Sequence, residues 1–233
     1  MNQRIQKLDL WGHPVAEPLD LGNTHPVAIA VNKQGNIIVA DSQIVKVFSS
    51  NGVLSHNFLP LYGTKDKRPK ISALAVDIEG NILIADKNNH RIQKFGIDGF
   101  FICFIGGPDG LDSPSGIAVT NKGEVIVSEL NASQLKLFNN LGTSYNVLGK
   151  AGIGKVCFGN PRGLALDRRG NILVADTANH RIQVLTPRGE YIGSLGRLGS
   201  SRGCLDSPYA IAINYLGHVV VADTGNHRVT IFT

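Results

Sequence analysis

The chain has no long apolar run. Nothing approaches the roughly 18 consecutive apolar residues a membrane-spanning helix needs, although 42% of its 233 residues are hydrophobic. Cysteine is scarce: Cys103, Cys157 and Cys204 lie far apart. An odd, dispersed set makes neither a disulfide framework nor a zinc motif. The first ten residues, MNQRIQKLDL, contain no apolar h-region, so no secretory signal is expected and the cytoplasm is the expected compartment. Charge is nearly balanced, 23 Lys+Arg against 18 Asp+Glu, and a formal +5 says little about partners. What the chain does have is glycine, 27 residues, which is about 12% against a usual ~7%. With enough apolar residues for a core and only 18% charged, it is not a disordered chain.

Those glycines are periodic. Gly80–Asp86 (GNILIAD) recurs as Gly170–Asp176 (GNILVAD), Gly35–Asp41 (GNIIVAD), Gly123–Glu129 (GEVIVSE) and Gly217–Asp223 (GHVVVAD). The spacing is 43 to 47 residues, which gives five repeats. Each repeat has four strand-like runs separated by Gly-containing turns. The first is small (VAIAV, ALAV, GIAV, GLAL, AIAI). The second is the GNILVAD run. The third is IVKVF, RIQKF, QLKLF, RIQVL or RVTIF, and the fourth is weaker.

The second run is apolar on both faces, so it is covered on both sides. No helical periodicity lies between strands to supply helices, so the cover must be other sheets. The expected fold is all-β, a β-propeller of four-stranded antiparallel blades, five in number. The whole of residues 1–233 is read as one propeller, with repeats at about 24–60, 70–106, 113–149, 160–196 and 207–233. The fifth repeat stops after its third strand. The run at 4–11 is therefore expected to close the ring as the outer strand of the last blade, which removes exposed edges. The alternative is part of a six-bladed ring.

The string AD-x-x-NHRIQ stands at 85–93 and 175–183, with AD-TG-NHRVT at 222–230. It resembles the NHL repeat, and the chain is similar to the C-terminal NHL domains of TRIM-NHL proteins. Repeats one and three depart from the string, and five blades depart from the usual six. The resemblance implies a partner- or substrate-recognising end of a ubiquitin-ligase system, and in several relatives a basic face that binds RNA to repress messages. No RING, B-box or coiled-coil heptads are present in this sequence.

A strand-end Asp followed by two variable residues and Asn suits a tight loop, because the carboxylate accepts backbone N–H bonds and Asn tolerates the left-handed region. The string recurs, whereas a site is usually unique. Asp86, His90, Asp176, His180, Asp223 and His227 are accordingly read as structural, with His and Arg opening the next strand. Replacing Asp176 with Ala is expected to cost about 1 kcal/mol, as for a lost cap.

Three patterns look like chemistry and are read as loops. Gly199–Gly203 matches G-x-S-x-G but lacks the strand-to-helix elbow. Gly149–Lys155 matches G-x-x-x-x-G-K but continues into Val156 with no helix. Asn131-Ala132-Ser133 is a sequon that goes unused without secretion. Some NHL-like propellers are lyases or lactonases with a metal on the axis. Here the positions opening the inner strands are Val27, Ser72, Ser115, Arg162 and Tyr209, none of them a carboxylate or His. No metal, cofactor, membrane or small-molecule substrate is expected, and enzymatic activity is a minor alternative.

A partner is expected on the face that carries the loops between blades and between second and third strands. Thirteen of the 23 basic residues fall there, against nine acids, five of which are the repeated strand-end acids. Lys65-Asp66-Lys67-Arg68-Pro69-Lys70 is strongly basic. Arg162 and Tyr209 sit near the axis, with Tyr62 and Phe158 in adjacent loops. Basic loops interleaved with aromatics suit single-stranded RNA, and Tyr with Arg also dominates protein hot spots. The expected site is Arg162, Tyr209, Lys67, Arg68, Lys155 and Arg202, and the expected ligand is a protein partner, with single-stranded RNA as the alternative.

Overall fold

The computed structural model describes all residues except 1, 2, 10, 23, 64–66 and 107–109, and the side chains of 144 and 145. The sequence runs form strands as their composition demands. Two short strands, β1 (Arg4–Ile5) and β2 (Leu19–Asp20), come first. Blade 1 follows as β3 (Ala28–Val31), β4 (Ile37–Ala40), β5 (Val45–Phe48) and β6 (Leu54–Phe58). Blade 2 is β7 (Ile71–Val76), β8 (Ile82–Asp86), β9 (Arg91–Phe95) and β10 (Phe101–Ile105). Blade 3 is β11 (Pro114–Val119), β12 (Val125–Glu129), β13 (Gln134–Phe138) and β14 (Ser144–Leu148). A parallel pair, β15 (Lys150–Ala151) and β16 (Cys157–Phe158), decorates the next connection. Blade 4 is β17 (Pro161–Leu166), β18 (Ile172–Asp176), β19 (Arg181–Leu185) and β20 (Tyr191–Leu195). Blade 5 is β21 (Pro208–Ile213), β22 (Val219–Asp223) and β23 (Arg228–Phe232).

The chain is thus an all-β, five-bladed propeller of antiparallel sheets. Strand order within each blade follows the sequence. The inner strands pack in succession, β3 on β7, β7 on β11, β11 on β17 and β17 on β21. No helix among the described residues is long and apolar enough to cross a membrane.

The second strands are buried on both faces, as their sequence requires. Ile82 and Ile84 pack toward blade 1, while Leu83 and Ala85 pack toward blade 3. The inner strands show a consistent asymmetry. Leu74, Ile117, Leu164 and Ile211 face the preceding blade, and Ala73, Ala118 and Ala165 face the following one. Large side chains meet small ones at the four interfaces between consecutive blades, which lets the inner strands crowd together near the axis. Gly163 marks how close the inner strands come, since a Cβ there would lie 2.8 Å from the Tyr209 carbonyl oxygen of the next strand.

Ring closure differs from the sequence expectation. The N-terminal run does not join the last blade: Arg4 and Ile5 pair with Asp20 and Leu19, and blade 5 keeps three strands with β23 as a free edge. Leu10, within that run, lies outside the described residues. The apolar side chains of β1 and β2 account for the difference. Ile5, Leu19 and Leu21 pack on Ile37, Val39 and Phe48, the outward side of blade 1. That contact holds the N-terminal sheet beside blade 1 and away from β23.

Candidate functional site

Four of the five strand-end acids, Asp86, Glu129, Asp176 and Asp223, are fully buried and accept from several donors, whereas Asp41 of blade 1 is partly buried and accepts only from the Gln43 and Ile44 N–H groups. Asp176 accepts from the Gly159 backbone N–H at 2.6 Å, the Asn179 amide at 2.9 Å, Arg181 Nε at 2.8 Å and Gln183 Nε2 at 3.0 Å. Asp223 repeats the arrangement with the Asp206 N–H, Asn226 and Arg228. Asp86 does so with the Lys70 N–H, Asn89 and Gln93. In blade 3 Glu129 takes the position and accepts from the Asp112 N–H and Gln134. Each of these four acids ties the loop entering its blade to the hairpin that follows. Burial alone would raise the Asp223 carboxyl above the ordinary 3.8. The Asp206 N–H, Asn226 and Arg228 outweigh that and hold it below.

The histidines have a different place from the one the spacing suggests. Asn does not take the left-handed conformation; His90, His180 and His227 do, at φ near 53°, and Arg alone opens the next strand. Two of the rings then reach the connection into the following blade. His90 Nδ1 lies 2.9 Å from the Leu111 carbonyl oxygen, and His180 Nδ1 accepts from the Ser207 N–H at 3.1 Å. The side chain sits in a strained backbone region and bridges blades.

Serine and threonine hydroxyls fasten the inner strands. Ser72 donates to the Pro114 carbonyl at 2.6 Å, Ser115 to that of Pro161 at 2.7 Å, and Thr177 to that of Pro208 at 2.7 Å. Arg162 occupies the position of Ser72 and Ser115 in blade 4. Its guanidinium lies over the Tyr209 ring, 4.5 Å from the centroid. Its Nε is buried with no hydrogen-bond partner among the described residues. Beside this pair opens an axial cavity of about 350 Å³, lined by the starts of all five inner strands, with Tyr209, Ser72, Ser115 and Ile29 among its walls.

The other expected site residues are not gathered around that pair. Lys155 lies over Tyr191, 5.4 Å from the ring centroid, on the outermost strand of blade 4 and not at the axis. Arg202 flanks a groove along the free edge of β23. Lys67 and Arg68 are exposed in the connection between blades 1 and 2, whose Lys65 and Asp66 lie outside the described residues. Phe158 is no surface aromatic: it is completely buried between blades 3 and 4.

The basic excess is also smaller than the loop count suggests. Arg91 donates to the Leu61 and Tyr62 carbonyls, Arg181 to those of Gly154 and Cys157, and Arg228 to those of Ser200 and Cys204. These arginines also pair with the strand-end acids. They hold connections in place, and nothing in residue spacing distinguishes them from free cations. No cluster of three or more His, Cys, Asp or Glu side chains converges among the described residues.

The fold and its repeated latch define the class. The NHL repeat model matches residues 71–95, 158–185 and 205–232, and these three segments of the propeller are NHL repeats. Its sequence is 33% identical to Protein brain tumor of Drosophila melanogaster over 138 residues, 57% of this chain and 13% of that one. The chain therefore spans a small part of that relative's length. All of it superposes on 76% of a streptogramin B lyase with a TM-score of 0.71, and 99% of it on 72% of the WD40 β-propeller domain of Doa1 with a TM-score of 0.74. Both are 16% identical to it and share the fold alone.

Proposed function

We propose that the chain is a non-enzymatic binding platform whose loop-bearing face recognises a protein partner, as the substrate-recruiting domain of a TRIM-NHL system would. The observation that supports this reading is the Arg162–Tyr209 pair at the mouth of the axial cavity. A flat cation held on an aromatic ring, beside an apolar recess large enough for one or two side chains, is the composition of a protein hot spot.

Single-stranded RNA is the second reading. Exposed Lys67 and Arg68 near half-exposed Tyr62 favour it. Against it, three of the face's arginines are spent on carbonyls and acids within the fold, and the cavity walls are mainly apolar.

The test is selection of peptides from a display library on the whole chain, followed by titration of single peptides by fluorescence anisotropy. Binding weakened at least tenfold by Arg162→Ala or Tyr209→Ala, and unaffected by Lys122→Ala on the opposite loops, is expected. Peptides indifferent to the first two variants would sink the site. Tight binding of a random RNA pool with a steep salt slope would replace the protein reading with the RNA one.

A further inference from the structure

The outermost strand of blade 2 is unlike the other outer strands. β6 reads LSHNF, β14 SYNVL and β20 YIGSL, each interrupted by polar residues or glycine. β10 reads FICFI and follows Phe100, so residues 100–105 carry no charge, amide, hydroxyl or proline. All of β10 except Ile105 is exposed. It ends its sheet, with β9 on one side and an open edge on the other. Charges, proline or a covering element usually blunt such an edge. The bulge after Phe101 has counterparts in blades 1, 3 and 4 and does not set β10 apart.

The exposed side chains of β10 continue a row of rings. Phe95 lies between Phe58 of blade 1 and Phe101, with centroids 4.9 and 5.6 Å away, and Phe101 meets Phe104 at 4.7 Å. The Arg91 guanidinium caps the row, 4.1 Å from the Phe104 centroid, and donates to the Leu61 and Tyr62 carbonyls. That bond brings the apolar connection Leu59–Tyr62 against the row. Leu59, Leu61, Tyr62, Phe100, Ile102 and Phe104 are all exposed, Phe100 at 74%. At about 150–250 Å² for each aromatic side chain, their open surface is on the order of 600 Å². The largest patch on an ordinary monomer is about 300–600 Å². With the main-chain edge added, the surface approaches the roughly 800 Å² per partner of a stable interface.

Charge is divided along the same blade. At the end where β10 begins, the two turns of blade 2 carry exposed Glu79 and Asp98 and no lysine or arginine. At the other end the connection entering the blade carries exposed Lys67, Arg68 and Lys70. The corresponding turns of blades 1, 3 and 4 contain Lys33, Lys122 and Arg168, so the division belongs to blade 2. A face that is apolar in the middle, acidic at one end and basic at the other complements itself when turned end for end. We propose that β10 pairs antiparallel with β10 of a second copy of this chain, about a two-fold axis near Ile102 and Cys103. The ring rows then meet across the axis, and the acidic end of each copy faces the basic end of the other. The opposed edges exchange main-chain bonds. Pairing uses up the one open edge of β10, so this assembly closes at two copies. The contact lies on the outer rim, and the loop-bearing face of each copy stays open.

Sedimentation equilibrium of the whole chain is the test. A monomer–dimer equilibrium is expected, weakened at least tenfold by Phe100→Asp or Ile102→Asp, both at exposed positions. Ile192→Asp, on the outer strand of blade 4, should leave it intact. Added salt should weaken it, because its charged ends are at the surface. Asp98→Lys and Arg68→Glu should each weaken it, and the two together should dimerise better than either alone. Cys103 is the exposed one of the three free cysteines, and the axis brings it close to its mate, since opposed residues of an antiparallel pair lie about 4.5–5.5 Å apart. A short bis-maleimide should therefore link two copies of the unmodified chain, and Cys103→Ser should abolish the linked species. That readout stands even if the aspartate variants fold poorly. A chain that stays monomeric at millimolar concentration overturns the proposal. So does a dimer that ignores Phe100→Asp and does not link through Cys103, and so does open-ended assembly in place of a dimer.

Discussion

Arg162 of blade 4 lies across the blade boundary on the ring of Tyr209 in blade 5, 4.5 Å from its centroid. The contact joins two inner strands at a boundary where, as at Val27 of blade 1, the serine of Ser72 and Ser115 is replaced. Thr177 has taken over the hydroxyl bond to Pro208 there. Thr177 therefore does at this boundary the fastening that the serines do at two others.

The division of labour between the two side chains is testable. Tyr209→Phe keeps the ring and should retain peptide affinity within about threefold. Arg162→Lys loses the flat fork and should cost most of what Arg162→Ala costs. Thermal midpoints should stay close to the parent in both, since a cation–π contact at a half-exposed site is worth only about 0.5–1 kcal/mol. A large midpoint drop would make the pair structural.

Asp176→Ala should destabilise far more than a lost cap. The buried carboxylate serves four donors, including Arg181, and its removal strands them. Losing one member of a buried ion pair costs about 3–5 kcal/mol, and urea denaturation measures it. A loss near 1 kcal/mol would show that water re-solvates the loop.

Acid should loosen blade 5 through Asp223. Its carboxyl titrates below 3.8 when folded, so the folded state favours the ionised form. That stability is present above the unfolded value and is lost as pH falls through the folded one. Melts from about pH 7 to about pH 3 should decline at the acid end. Asp223→Asn should start lower and decline less.

Gly116→Ala should lower stability by about 1–3 kcal/mol, as overpacking does. The added Cβ would meet the Arg162 carbonyl oxygen and lie 2.8 Å from Ser128 Oγ. Because the clash is with a residue of the proposed binding pair, peptide affinity should fall with stability. Unchanged affinity would show that the backbone shifts without moving the guanidinium.

Much of the architecture was legible from the GNILVAD strands, because an apolar run covered on both faces leaves few alternatives to stacked sheets. The run at 4–11 was misread as closing the last blade, whereas its Arg4 and Ile5 pair with Asp20 and Leu19. A strand is assigned to a partner by the residues it packs on, and the match of Arg4-Ile5-Gln6-Lys7 to the third strand of blade 2 carried that information. The left-handed His90, His180 and His227 were missed because Asn next to them is the commoner occupant of that region. Arg91, Arg181 and Arg228 looked like free surface charge because sequence does not reveal which carbonyls a connection turns inward. Arg162 and Tyr209, 47 positions apart, became neighbours only through the blade repeat.

Every blade presents large side chains to its predecessor and alanines to its successor, so the two ends of the array are unlike. Such a body has a polarity, as a filament subunit does. Two copies meeting by these ends would join head to tail and leave the same pair of ends exposed again, a growth rule with no natural stop. The small sheet of β1 and β2 over Ile37, Val39 and Phe48 shields the outer half of the leading end. Deleting it should bare Ile37, Val39 and Phe48 and favour such head-to-tail joining, which sedimentation measures.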